Sequence, residues 1–396
     1  MPITRRHALF TLSAGIGALS VPHGALAAQA GGKKLVVFIL RGGMDGLSAV
    51  APVGDPTYAG ARKALALTPQ AALKLDGLFA LHPRLATLHG LYGAGELLPL
   101  HAVGTPYRER SHFDAQNVLE TGAATPFGRA TGWLNAALGA LPQGAAGARA
   151  ELGLALAAQE PLVLRGAAPV ATWSPSPTPD ADADTVARLL DLYRRTDRQF
   201  ATALEGAQSA NAVAMQAGGM AGERARGVTP LVKAAAGFLK QPSGPVAAVI
   251  EMSGWDTHIG QVQDLGPLSR ALGELDSAVG ALKIELGPTW RDTLVVIVTE
   301  FGRTVAPNGS GGTDHGTGMA AFLAGGAVAG GRVIADWPGL GANALLDGRD
   351  LRPTMDLRGV LKGALADHFG ISEAALERAA FPDSVNAKPV RGLIRA

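Results

Sequence analysis

Carboxylates and histidines recur in this chain within short stretches: "GGMDGL" (42–47), "SHFDAQ" (111–116), "GWDTH" (254–258), "TEFGRT" (299–304) and "DHG" (314–316). Carboxylate oxygens suit hard cations, and imidazole nitrogens extend the choice to zinc and manganese. Asp45, Asp256, His258, Glu300, Asp314 and His315 are therefore the candidate ligands of a divalent metal, Zn, Mn or Mg. Ser111 and His112 are candidate nucleophiles, and Arg303 or Arg110 could grip substrate oxygens bidentately. Each piece has an ordinary reading as well. Asp45 could shape a turn, Asp256 and His258 could be a surface pair, Glu300 could pair with Arg303, and Ser111 could cap a helix starting near Phe113. Five such accidents at comparable places are less economical than one site.

The comparable places are the ends of strands. "KLVVFIL" (34–40), "LLPLHAV" (97–103), "AAVIEM" (247–252), "TLVVIVT" (293–299) and "MAAFLAG" (319–325) are apolar at nearly every position and alternate with Ala/Leu-rich helical stretches. Continuous apolar runs fit strands buried on both faces, as in a parallel sheet covered by helices. In such α/β sheets ligands gather outside the carboxyl ends of the strands. Between 150 and 240 the texture changes: "WSPSPTPDADAD" reads as a surface loop and "TVARLLDLYRRTDRQFATALEGA" as an amphipathic helix with a solvated Arg/Asp face. That stretch is expected to be an insertion or cap.

The N-terminus begins "TRRHALF", continues through an apolar run from Ala8 to Val21 and reaches "ALAAQA". This is a charged region, a hydrophobic stretch shorter than a membrane span and an A-x-A cleavage site, so residues 1–27 are expected to be a signal peptide. The paired Arg5 and Arg6 resemble a twin-arginine signal, which makes the twin-arginine export machinery a partner and the periplasm or the exterior the destination. Taking Arg5 and Arg6 from the 35 basic residues leaves 33, against 33 acidic ones, and a net charge of zero. That balance does not suit nucleic acid. Zero cysteines exclude disulfides and thiolate ligands. No run after the signal has the roughly 18 apolar residues of a spanning helix.

In this order the five motifs resemble the exported domain-of-unknown-function 1501 family, a branch of the alkaline-phosphatase and phosphoglycerate-mutase superfamily, and the resemblance covers nearly all of residues 28–396. It implies a three-layer α/β/α domain with a mostly parallel sheet, a pair of divalent metals and an alcohol nucleophile at a helix N-terminus. Carried over by position, Asp45 matches the carboxylate after the first strand, Ser111 the nucleophile, and Asp256 with His258 a metal pair, although that pair is usually spaced wider. Glu300 takes the place of the Asp in an Asp-His doublet, and Asp314 with His315 the late histidine ligand and its neighbour. Phe301 stands where the doublet's histidine would be and cannot ligate, so a second metal lacks a ligand unless His112 or Asp114 supplies it.

The expected function is hydrolysis of a phosphate mono- or diester, in which charge on the transferring group must be neutralised and a nucleophile activated. The substrate would be a small-molecule ester or a glycan or lipid headgroup. No G-x-x-x-x-G-K-[ST] loop, H-E-x-x-H helix, G-x-S-x-G elbow or C/S-x-P-x-R sulfatase motif occurs. The alternative is an exported, non-catalytic binding module on the same fold.

Overall fold

The computed structural model describes residues 32–142, 144, 149–175, 181–218, 227–261 and 266–395. The expected signal peptide, 1–27, lies outside the described residues. Eight strands form the main sheet: β1 (Lys34–Leu40), β2 (Leu97–Gly104), β3 (Gly153–Ala155), β4 (Val170–Thr172), β5 (Ala247–Met252), β6 (Thr293–Thr299), β7 (Met319–Ala324) and β8 (Met355–Asp356), in the order β8-β2-β7-β6-β1-β5-β3-β4. Seven run parallel and β7 alone runs against them. The chain is thus α/β with a mostly parallel sheet, as the apolar runs imply.

Alternation along β1 divides the core. Val36, Phe38 and Leu40 point to one face, where they meet α2 (Ala86–Gly93), α7 (Thr229–Lys240) and α8 (Pro267–Leu286) through Leu88, Val232 and Leu272. Leu35, Val37 and Ile39 point to the other, against α4 (Trp133–Gly139) and α9 (Leu357–Phe369) through Leu134 and Leu361. Two-sided burial is why these strands show no polar alternation. In α8, Leu268, Leu272, Leu275, Val279, Leu282 and Leu286 repeat every three or four residues and are all buried, giving one apolar stripe. Burial of each such side chain is worth about 1.5–3 kcal/mol.

The segment 150–240, expected as an insertion or cap, is shared between sheet and surface. Residues in β3 and β4 extend the sheet edge and α7 covers a face, while α5 (Ala183–Thr196) and α6 (Arg198–Gln216) form a helical pair with few buried side chains. Among the described residues no helix is long and apolar enough to cross a membrane.

The sheet centre positions the site. β6, β1 and β5 are adjacent, so the turns after Leu40, Met252 and Thr299 leave the same edge side by side. Because β7 is antiparallel, its start lies at that edge, and the "DHG" stretch precedes the strand instead of following it. The turn after β1 needs glycine: Gly42 has φ 124°, and a Cβ there would meet the backbone nitrogen of Asp256 at 2.5 Å.

Candidate metal centre

Three loops bring His112, Asp256, His258 and His315 together. His112 opens α3 (His112–Thr121), whose start is marked by Ser111 at the N-cap and whose end is marked by left-handed Gly122. His112 Nε2 is 3.5 Å from Asp256 Oδ2, His258 Nε2 is 3.0 Å from Asp256 Oδ1, and His315 Nε2 is 3.3 Å from the same oxygen. The two Nε2 atoms of His258 and His315 are 3.1 Å apart. Ligand atoms of His112, Asp256 and His315 all lie within 4.8 Å of one another, and His258 joins through its contacts with the latter two.

Each imidazole is fixed from behind at Nδ1. His112 Nδ1 donates to Glu300 Oε1 at 2.8 Å, His258 Nδ1 to Asp314 Oδ1 at 3.2 Å, and His315 Nδ1 to the Arg110 carbonyl at 2.9 Å. All three partners only accept, which assigns the proton to Nδ1 and turns three lone pairs inward onto a carboxylate. His112 Nε2 is buried with no hydrogen-bond partner. Converging lone pairs repel unless a cation sits among them, and a tetrahedral zinc site would separate its ligand atoms by roughly 3.3 Å. The donor set therefore fits a divalent ion, with outer partners already in place to fix tautomer and ring orientation.

The electrostatics follow these contacts. The Glu300 hydrogen bond is the main reason the His112 pKa is raised, against the effect of burial. Burial lowers that of His315, opposed by its bond to the Arg110 carbonyl. Burial alone would raise the Asp256 carboxyl, but the Arg303 guanidinium beside it holds it below the usual range. Phe301 packs against both rings, its centroid 4.8 Å from His112 and 5.0 Å from His315.

A family model described as "Protein of unknown function (DUF1501)" matches residues 95–379. The chain belongs to this family. A comparison with curated proteins gave no match. Among solved structures the chain is similar to the lipoteichoic acid synthase LtaP from Listeria monocytogenes, at 12% identity and TM-score 0.37, covering 81% of this chain and 69% of that one. It is also similar to the C-terminal periplasmic domain of EcEptC from Escherichia coli in complex with Zn, at 9% identity and TM-score 0.36, covering 74% and 73%. A third similar structure is the PsFucS1 sulfatase from Pseudoalteromonas sp., at 12% identity and TM-score 0.38, covering 94% and 77%.

In this member of the DUF1501 family the expected ligands divide into two shells. Asp256, His258 and His315 face the centre, and His112, expected as a nucleophile, joins them with its Nε2. Glu300 and Asp314 stand behind histidines instead. The Glu300 carboxylate is fully buried and taken up by His112, Gln116, the Gly42 N–H at 2.8 Å and Thr299. Burial would raise its pKa, but the His112 and Gln116 bonds hold it below the usual range. Asp314 accepts from Asn308 at 3.1 Å as well as from His258. Asp45 contacts Arg62, Ser48 and Gln261. Arg303, expected to hold substrate, is 1% exposed and binds the carbonyls of Gly42, Gly43, Trp255 and Thr313 together with Asp256. It ties three site loops together. A planar five-donor group suits that task, and no donor geometry in the sequence distinguishes it from substrate binding.

Some contributors have no signal in the motifs. Asp350 is buried and receives Arg110 Nε at 2.7 Å, while Arg349 reaches Asp350 and, at 2.6 Å, the His315 carbonyl. These contacts steady the Arg110 carbonyl that orients His315, and Arg110 itself has φ 65°. Ser111 is the N-cap residue of α3 and makes no side-chain cap hydrogen bond; its N–H donates to the Tyr107 hydroxyl at 3.3 Å.

Proposed function

We propose that this protein is an exported, metal-dependent hydrolase of phosphate mono- or diesters, with a divalent metal centre at His112, Asp256, His258 and His315. The observation that carries this reading is the convergence of three Nδ1-anchored imidazoles on one carboxylate. Nitrogen-rich donors favour zinc or manganese over magnesium, which prefers oxygen. Bound there, the ion would supply charge neutralisation for a phosphoryl group.

The chain's own groups do the rest. Glu300, Asp314 and the Arg110 carbonyl keep the histidines in ligating form, and Arg303 holds the loops in register. The N-terminus of α3, which His112 opens, carries a positive dipole end that would favour developing negative charge beside the centre. Ser111, not spent on capping, is the nucleophile: its oxygen bonds to phosphorus as the P–O bond to the leaving alcohol breaks and the alcohol takes the serine proton; water then adds to phosphorus, returns a proton to the serine and frees phosphate from a monoester or a phosphate monoester from a diester. Export is supported by Arg5 and Arg6 ahead of a short apolar run; replacing both with Lys is expected to leave precursor in the cytoplasm.

The test is a panel of aryl phosphate mono- and diesters with zinc or manganese. Ser111→Ala should abolish turnover at unchanged metal content, and Asp256→Asn should lose both. Full turnover by Ser111→Ala would remove it from the mechanism. The engagement of Arg303 with backbone carbonyls favours a second reading, a binding module; a metal-loaded protein inert to every ester would support it.

A further inference from the structure

Asp45 and Arg62 form an ion pair with neither side chain more than 1% exposed. The carboxylate accepts from Arg62, from Ser48 Oγ at 2.8 Å, from Gln261 Nε2 and from the Leu47 N–H at 3.2 Å. Three of these donors converge on Oδ2, and the Leu47 N–H meets Oδ1. Arg62 is pinned from its other side by the carbonyls of Thr304 at 3.1 Å and Val305 at 2.9 Å, two residues in the loop that follows Glu300. Gln261 in turn accepts from Thr257 and Thr313, both at 2.8 Å, which lie beside His258 and Asp314. This network ties Asp45 to the loops of the centre and buries its carboxylate against Arg62.

We propose that Arg62 is a permanent, protein-supplied cation that replaces a second metal ion at Asp45, so that the centre binds one divalent ion only. The inference rests on the metal centre proposed above and adds its count. The guanidinium is part of the chain, so a chelator that strips a metal cannot take this charge away. For a metal to reach Asp45 it would have to displace Arg62, leaving a buried cation with no counter-charge, which is strongly unfavourable. The other positions a second ion would need are closed as well. Glu300 is fully buried with three donors on Oε1 and the Thr299 hydroxyl beside Oε2, and Phe301 offers no ligand atom.

Metal counting decides the matter. Full-length protein stripped with a chelator, reloaded with excess zinc or manganese and dialysed should contain one equivalent per chain by elemental analysis. The double variant Asp45→Asn/Arg62→Met removes the ion pair without orphaning either charge and should keep that single equivalent. Two equivalents in the native protein would overturn the proposal while leaving the metal centre standing, as would loss of the ion from a folded double variant. No bound metal in the native protein would instead refute the centre itself. The native count stands even if the double variant fails to fold.

Discussion

An imidazole donates one lone pair at a time, and which nitrogen carries it depends on what the other nitrogen holds. Glu300 does this for His112: its Oε1 takes the Nδ1 proton at 2.8 Å while the Gly42 N–H and Gln116 hold the carboxylate still. Glu300→Gln keeps the shape but weakens the acceptor and introduces an amide that cannot satisfy all three donors. Metal affinity is expected to fall by about 10–100-fold, the usual effect of losing such a partner, with circular dichroism unchanged; competition with a chromophoric chelator measures it. At this scale the sequence shows residue types better than roles. Glu300 and Asp314 look like ligands because they are carboxylates at strand ends, yet Glu300 points at an imidazole ring and Asp314 at another. His112 looks like a nucleophile because an imidazole can carry a phosphoryl group, yet its Nε2 turns to Asp256. Arg62 and Asp350 sit in stretches with no repeating chemistry, so only the folded chain reveals their partners.

Among the elements, the five long apolar runs declare themselves because burial on both faces demands continuous Val, Ile and Leu. The three-residue β3 and β4 contain Gly, Ala and Thr and are too short to show a period. That is why the change of texture near 150 looks like an inserted unit while part of it belongs to the sheet. Direction is also hidden: no residue of β7 announces that it runs antiparallel. The turn after β1 gives a test. Gly42→Ala would drive a methyl into the Asp256 backbone at a φ of 124°, and should cost about 1–3 kcal/mol or more together with some bound metal. Gly273→Ala in α8, where a Cβ meets nothing within 4 Å, should stabilise by roughly 0.5–1 kcal/mol. Urea midpoints of the two variants should move in opposite directions.

Across the whole molecule, acid is the condition to which this fold is most exposed. His101 and His368 are 0% and 1% exposed, and burial is the main cause that lowers both pKa values from 6.5 to about 4. His101 has no room for a second proton, since Nε2 is held by the Val50 carbonyl at 3.0 Å and Nδ1 accepts the Ala102 N–H at 2.8 Å. Between pH 6.5 and about 4 the unfolded chain binds protons that the folded chain refuses, so stability falls as pH drops through that window and levels off below it. The loss at pH 5 should be about 2 kcal/mol per imidazole, read from urea unfolding at pH 7 and pH 5, and His368→Gln should shrink the difference.

The centre also joins distant parts of the chain. His112 meets Glu300 across 188 positions and His315 meets Arg110 across 205. Such contacts close only after long loops have been ordered, so they are expected to form late in folding and to break early in unfolding. An ion that bridges them has little to grip in the transition state. It should therefore lengthen the lifetime of the native protein by slowing the unfolding arm of the chevron, and leave the refolding rate nearly where it was.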